Sequence, residues 1–464
     1  MKVMFASSEI FPYAKSGGLA DAADALPQVL SSDVDISSVM PLYGFMNKKK
    51  LDYSDTFKLT FGGTDYKIDL YTKENNGIKT YFIEAPFLSD TQNLYGDQDG
   101  DYPNNDLRFG IFCMAIVELS TRLKVDILHL NDWHTALAAL FIKERHSEIK
   151  TVFTIHNLAY QGLFEKSSVE RLGIDKKYFT IDGLEFYSKM NFLKAAIAYS
   201  DSITTVSPTY AKEILTKEFG CGLDGFLACH KDKLTGILNG INTVIFNPKK
   251  DKNIPVSFDK NSLENKYENK VQFIKKSTLK DPRKPLFVMV SRLVEQKGVD
   301  LLIDSLDSIL EKKLNLFVVG EGSVEYVKKL KEFSKRYDNF EFFDGYDESL
   351  SHQTYAAADF LLMPSRFEPC GLNQMIAMRY GTIPIVHAVG GLKDSVHEEA
   401  ALCGGGIIYE KQSKQEFLSA IDRALKLKKE GKKIRTLIES NMDCDFSFKH
   451  SALEYIEVYK KISQ

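Results

Sequence analysis

An α/β chain built on two parallel sheets is predicted by three observations. Short, continuous apolar runs recur through both halves. They are Val3–Ser7, Val125–Leu130, Thr151–Ile155 and Ser202–Val206, then Leu286–Val290, Leu314–Val319, Phe340–Phe343, Phe360–Met363 and Ile383–His387. Runs apolar on both faces suit strands of a parallel sheet, which helices cover on each side. Helical patterns stand between them, as at Leu107–Leu123, His134–Arg145 and Val299–Leu310. Many of the runs also end in polar residues, such as Asn131-Asp132, His156-Asn157, Ser207 and Ser291-Arg292. In open parallel sheets ligands lie outside the carboxyl ends of the strands, so such residues line a crevice. Two βα series in 464 residues predict two Rossmann-like domains facing each other across a cleft.

The first domain is expected over 1–244. Its opening strand leads to Lys15-Ser16-Gly17-Gly18-Leu19 and a stretch of high helix propensity, Ala20–Leu26. Strand, glycine turn and helix is a phosphate-cradling order. Without the full dinucleotide spacing, the glycine pair equally suits a flexible loop. Alternation over 57–84, with turns at Gly62-Gly63 and Asn75-Asn76-Gly77, predicts an antiparallel insert at the domain's edge. Leu234–Leu238 reads as its last strand. Asn247-Pro248 and the polar, lysine-rich Lys249–Lys270 read as a connection to the second domain, 245–445. In the tail, 446–464, Leu453, Ile456, Tyr459 and Ile462 lie at helical spacing behind Ser447 as N-cap, which predicts a docking helix.

Composition narrows the function classes. Hydrophobic residues at 44% and charged residues at 27% describe a globular chain. A net charge of -3 offers no basic stripe for nucleic acid. No run reaches transmembrane length, and Val3-Met4-Phe5-Ala6 is too short for a signal peptide, so a cytoplasmic protein without a membrane partner is expected. The six cysteines lack C-x-x-C spacing and are expected as reduced thiols. No zinc pattern is present. Asp97-x-Asp99-x-Asp101 fails as a calcium loop because Tyr102 and Arg108 stand where glycine and glutamate are needed.

The stretch with most chemistry is Met363-Pro364-Ser365-Arg366-Phe367-Glu368-Pro369-Cys370-Gly371-Leu372-Asn373-Gln374. A buried strand leads through a loop into a helix expected from about Gly371. Unpaired N–H groups at such a start favour an anion. An ordinary strand-to-helix loop with a solvated Glu368 is the competing reading.

Several stretches together resemble the ADP-glucose-type bacterial glycogen synthases and plant starch synthases. They are Lys15-Ser16-Gly17-Gly18-Leu19, Asp132-Trp133-His134, Phe153–Gly162, Ser291-Arg292-Leu293 with Gln296-Lys297-Gly298, Pro364–Gln374, Tyr380–Pro384 and the closing Phe446-Ser447-Phe448 with Ala452, Tyr455 and Tyr459. They run in order from the first strand to the last helix. The resemblance implies the GT-B architecture, with the C-terminal helix crossing back to dock on the N-terminal domain. It implies glucose transfer from ADP-glucose to the 4-hydroxyl at the non-reducing end of an α-1,4-glucan such as glycogen. The expected reaction retains configuration and needs neither metal nor cofactor. The choice of ADP over UDP rests on the resemblance alone.

By the same resemblance, Glu368 lies near the transferred glucose, and His156 contacts the sugar beside the cationic anomeric centre. Lys15, Arg292 and Lys297 meet the diphosphate, together with Gly17, Gly18 and the backbone around Cys370, Gly371, Leu372 and Asn373. Tyr346 stacks on adenine or is merely packed. Asp132 and Asn157 line the sugar and acceptor region, Asp21 lies beside the glycine loop, and Tyr95 belongs to an acceptor-side loop. Asn239 faces the cleft or simply forms a turn. The leaving diphosphate gains charge as the glycosidic bond breaks, which is why fixed cations are called for. Asn373 departs from a usual threonine or serine, Asn242 from a usual aspartate, and Ser31–Asp35 is a compressed turn. A nucleotide-sugar 2-epimerase on the same fold and a non-catalytic glucan-binding scaffold are the alternatives. The Lys15 block and Asp132-Trp133-His134 argue against the first, and intact Lys15, Arg292, Lys297 and Glu368 argue against the second.

Overall fold

The computed structural model describes residues 1–98, 100–398 and 403–464. Asp99, the middle acid of the rejected calcium pattern, lies outside the described residues. Two compact units make up the chain: Met1–Asn239 with Phe448–Gln464, and Gly240–Ser447.

The first unit is built on a nine-stranded sheet. Its order is Leu234–Gly236, Ser202–Thr205, Lys150–Ile155, Ile127–Asn131, Lys2–Ala6, Asp35–Pro41, Ile78–Glu84, Thr64–Asn75, Asp52–Phe61. All neighbours pair in parallel except the last three strands, whose two pairings are antiparallel. The antiparallel insert is therefore continuous with the main sheet, and it starts at Asp52 rather than 57. The first strand shows why its run is apolar throughout. Met4 and Ala6 enter the core on one face, beneath the Asn105–Leu123 and Trp133–Glu144 helices, while Val3 and Phe5 enter the core on the other.

That second face is covered by the Gly18–Leu30 helix and by the C-terminal helix, Lys449–Ser463. The C-terminal helix buries Ala452, Tyr455, Ile456 and Tyr459, whereas Leu453 is 61% exposed. Ile456 and Tyr459 of the expected stripe are buried and Ile462 packs against the same core, but Ala452 takes the place of Leu453. The i, i+3, i+4, i+7 positions from Ala452 form the single face that meets the sheet. Tyr459 anchors it through Oη to Nδ1 of buried His129 at 2.6 Å, and His129 Nε2 meets Thr154 Oγ1 at 2.7 Å. Phe448, not Ser447, is the N-cap residue.

The second unit carries a seven-stranded sheet, all parallel. Its order is Phe340–Asp344, Asn315–Gly320, Leu286–Val290, Phe360–Met363, Ile383–His387, Gly405–Tyr409, His397–Glu398. Lys249–Lys270 is not a connection between domains. Leu263–Lys276 is a helix of this unit, and Lys266 and Lys270 are buried in it. Lys266 Nζ donates to the carbonyls of Tyr355 and Ala356 and to Thr382 Oγ1. Lys270 pairs with Asp359 at 2.6 Å, and Lys428 meets the other oxygen of that carboxylate at 2.6 Å. A lysine-rich composition reports charge but not where long aliphatic stems run.

The cysteines also depart from expectation. Cys403 and Cys444 are disulfide-bonded, with Cα atoms 5.5 Å apart, while Cys113, Cys221, Cys229 and Cys370 are free thiols. The pair is 41 residues apart in sequence, so no local spacing signals it.

Candidate active site

In each unit the strand order reverses beside the first strand of its βα series, and a ligand crevice opens at such a point. In the first unit this lies between Lys2–Ala6 and Ile127–Asn131, and in the second between Leu286–Val290 and Phe360–Met363.

In the first unit, Asp132 follows directly on its strand and takes φ 55° and ψ 179°, a region almost confined to glycine. That turn points its carboxylate at the next strand end, where Oδ1 accepts from the backbone N–H of His156 at 2.7 Å and of Asn157 at 3.4 Å. Burial pushes the Asp132 carboxyl up to about 7; the two N–H donors oppose the rise and the charge of Glu9 adds to it. His156 is held down to about 3 by burial and is neutral at pH 7. Asn131 Nδ2 donates to the Ala6 carbonyl, so its Oδ1 faces His156 Nε2 at 2.9 Å. The proton of the neutral ring therefore sits on Nε2, and Nδ1 carries the lone pair.

The glycine loop begins with Lys15, whose Nζ meets Asp21 Oδ1 at 2.8 Å. Gly17 is the N-cap of the Gly18–Leu30 helix in extended backbone, and a Cβ there would meet nothing within 4 Å.

In the second unit, the loop Pro364–Leu372 is stitched to the loop after Leu286–Val290. Arg366 N–H donates to the Gln296 carbonyl at 2.8 Å, and Lys297 Nζ donates to Glu368 Oε2 at 2.6 Å. Ser365 Oγ donates to the same oxygen at 2.9 Å. Glu368 is 5% exposed. Gly298 permits this approach: its φ is 67°, and a Cβ would lie 1.8 Å from the Pro364 carbonyl oxygen. The helix begins at Asn373, two residues later than expected, because Gly371 with φ 71° forms the turn before it. Arg292 is exposed and, among the described residues, makes no side-chain hydrogen bond or ion pair. Two cations therefore stand on one loop beside a buried carboxylate, an arrangement able to hold a phosphorylated sugar.

Residues 2–229 match the family described as starch synthase catalytic domain, and residues 270–439 that described as glycosyl transferases group 1. The glycogen synthase of Aquifex aeolicus (strain VF5) is 43% identical over 467 residues, covering 100% of this chain and 99% of that protein. The glycogen synthase of Thermotoga maritima is 40% identical over 484 residues, covering 99% of each. This chain belongs to the glycogen and starch synthase family. The catalytic domain of starch synthase IV from Arabidopsis thaliana, bound to ADP and acarbose, is 33% identical with a TM-score of 0.91, covering 100% of this chain and 99% of that one. Sucrose-phosphate synthase from Thermosynechococcus elongatus, 17% identical with a TM-score of 0.65 over 99% of this chain and 98% of that one, shares the GT-B fold. Family membership makes the chain a hexosyltransferase of the glycogen or starch synthase kind and leaves the epimerase reading unsupported.

Of the residues the resemblance implies, the structure brings Asp132, His156 and Asn157 together, and separately Lys297 and Glu368. Asn157 spends its Oδ1 on the Ala159 N–H, forming a local turn. Asn373 donates from Nδ2 to the Val290 carbonyl at 2.6 Å, so its amide ties the helix start to the central strand. Cys370 is buried, and Leu372 is the N-cap. Tyr346 is 59% exposed on the loop after Phe340–Asp344, and Asn239 is buried as the last residue before the units change. Tyr95 Oη donates to Glu9 Oε1 at 2.5 Å and meets Ser8 Oγ at 2.8 Å. Arg366, the arginine of the Pro364–Gln374 stretch, pairs with Asp300 and Glu295. Asn131 belongs to the polar strand ends expected to line the crevice, whereas Glu9 and Ser365 were not foreseen. Of these two, Glu9 carried a signal: it is the one charged residue in Ser7-Ser8-Glu9, directly after a buried strand. Among the described residues, no helix is long and apolar enough to cross a membrane, and no group of three or more His, Cys, Asp or Glu could hold a metal.

Proposed function

We propose that the chain transfers glucose from ADP-glucose to the non-reducing 4-hydroxyl of an α-1,4-glucan, with glycogen as its acceptor, retaining configuration and working without metal in the cytoplasm. The observation that carries this is the Lys297–Glu368 pair at 2.6 Å, on the same loop as the unpaired Arg292. An ammonium has three donors and Glu368 takes one, which leaves two for phosphate oxygens. Arg292 offers a planar fork to the same diphosphate. Their charge offsets what develops on the leaving group, and so acts on the transition state more than on the ground state.

Glu368 directs its remaining oxygen to sugar hydroxyls. In the other unit, Lys15 adds a third cation for the diphosphate, and Asp21 flanks it. The Nδ1 lone pair of neutral His156 accepts from a sugar hydroxyl and suits an anomeric carbon that becomes positive. Asp132 and Asn157 line the sugar and acceptor side. In a same-face displacement the C1–O bond to diphosphate breaks, the acceptor oxygen bonds to C1, and the departing phosphate takes the acceptor's proton. Retention then needs no second carboxylate as nucleophile, unlike retaining hydrolysis.

The test is a donor panel with and without glycogen. ADP release from ADP-glucose should depend on glycogen, persist in EDTA, exceed that from UDP-glucose, and yield α-linked product by NMR. Arg292→Ala should lower kcat by about 10- to 100-fold, the worth of one charge-assisted contact. Nucleotide release independent of glycogen would overturn the proposal.

A further inference from the structure

Glu9 is buried, 3% exposed, at the carboxyl end of the central strand of the first unit. Among the described residues no lysine or arginine pairs with it. Its partners are neutral donors instead: Ser16 N–H on Oε2, Ser16 Oγ on Oε1 at 2.6 Å, and Tyr95 Oη on Oε1 at 2.5 Å. Two of the three come from one residue, which stands between Lys15 and Gly17-Gly18. A buried carboxylate without a cation is unfavourable unless its donors are fixed, so this clamp holds the loop as firmly as the loop holds the charge. Tyr95 is locked in turn, its ring stacked on His134 at 4.3 Å and its carbonyl accepting from Asn105 Nδ2 at 2.7 Å.

We infer that Glu9 is a positioning residue for glucosyl transfer: it clamps Ser16 and thereby fixes Lys15 and the glycine loop, and Tyr95 acts through Glu9 rather than on the glucan. The clamp fits its target. A carboxylate taking both N–H and Oγ–H of one residue fixes that residue's backbone and side chain together, which a single hydrogen bond does not. The adjoining Lys15 stem is otherwise held by its pair with Asp21 and lies over the Phe11 ring, 5.5 Å from its centroid. This inference rests on the proposed role of Lys15 at the diphosphate.

The experiment compares Ser16→Ala, Ser16→Thr, Glu9→Gln, the double variant Glu9→Gln/Ser16→Ala, and Lys15→Ala. Each is assayed with ADP-glucose and glycogen well below its melting temperature. Ser16 is exposed, so its variants keep the test valid if Glu9→Gln fails to fold. Ser16→Ala and Glu9→Gln should each lower kcat by about 10- to 100-fold with KM for glycogen unchanged. Ser16→Thr, which keeps the hydroxyl, should restore the rate. The double variant should be no worse than the poorer single one, because both remove one clamp. Wild-type kcat in Ser16→Ala and Glu9→Gln, or losses that multiply in the double variant, would overturn the inference. If Lys15→Ala itself keeps wild-type kcat, the role of Lys15 falls, and the inference with it. If only Lys15→Ala is impaired, the inference alone falls.

Discussion

Lys297 and Glu368 should be unequal in stability though equal in catalysis. Lys297 is 20% exposed at its side chain, Glu368 only 7%. Glu368→Gln leaves an ammonium that water can reach, a loss close to that of a surface pair, under about 1 kcal/mol. Lys297→Met leaves a buried carboxylate. Breaking a buried pair costs about 3–5 kcal/mol when the stranded charge has no other partner. Ser365 Oγ still donates at 2.9 Å. A hydrogen bond to a charged group recovers about 1.5 kcal/mol, which leaves a cost of about 1.5–3.5 kcal/mol. With a urea slope of about 2–3 kcal/mol/M, the midpoint of Lys297→Met should fall by about 1 M, and that of Glu368→Gln by less than about 0.4 M. Both should lose at least about tenfold in glycogen-dependent ADP release. Equal midpoint shifts would refute the burial argument. Full activity in Glu368→Gln would remove the carboxylate from the chemistry.

Asp132→Asn should be less active yet more stable at pH 8 than the wild type, with the advantage fading towards pH 5. The folded-state value near 7 lies above the ordinary 3.8, so the wild-type carboxyl is favourable only while protonated and loses stability as pH rises through 7; thermal melts at both pH values check it. Burial holds Lys266 down to about 7, below the usual 10.5. The unfolded chain therefore binds the extra proton between those values, and stability should rise with pH there. At about 1.4 kcal/mol per pH unit, wild type should gain on the order of 2–3 kcal/mol from pH 7 to pH 9 relative to Lys266→Met, read from urea midpoints. Thiol titration of the unfolded chain should find four free cysteines before reduction and six after; six before reduction would leave Cys403 and Cys444 unbonded.

The strands were legible because burial on both faces leaves no room for polar residues, as Val3, Met4, Phe5 and Ala6 show by dividing between two cores. Their polar ends were legible for the same reason, and they supplied Asp132, His156 and Arg292. What stayed hidden depends on contacts distant in sequence. Glu9 and Ser16 are seven residues apart, but the clamp exists only because the loop folds back over the strand end. Cys403 and Cys444 meet across 41 residues. Lys266 and Lys270 looked like solvated linker charge because composition cannot show that their ammonium groups end on buried carbonyls and Asp359. Leu453 misled by simple periodicity, since its neighbour Ala452 is the residue that meets the sheet.

The two units carry the cost of their sites differently. The second pairs its buried carboxylate: Glu368 has Lys297 and Ser365, and Arg292 on the same loop is left for solvent or ligand among the described residues. The first holds Asp132 at φ 55° and ψ 179°, where a residue with a side chain stores about 1–3 kcal/mol, and keeps the Glu9 carboxyl buried among neutral donors. It also holds His156, half-buried, as a neutral ring. Packing is supplied instead by residues such as Val3, Phe5 and Tyr459 further down the sheet, and fully burying one such side chain contributes about 1.5–3 kcal/mol. Polar groups strained or left without counter-ions at the strand ends, over a core able to offset them, are expected where selection has acted on chemistry rather than stability. The strain at Asp132 is therefore an argument for function independent of sequence resemblance, because an acid that served only packing would have relaxed to glycine or asparagine.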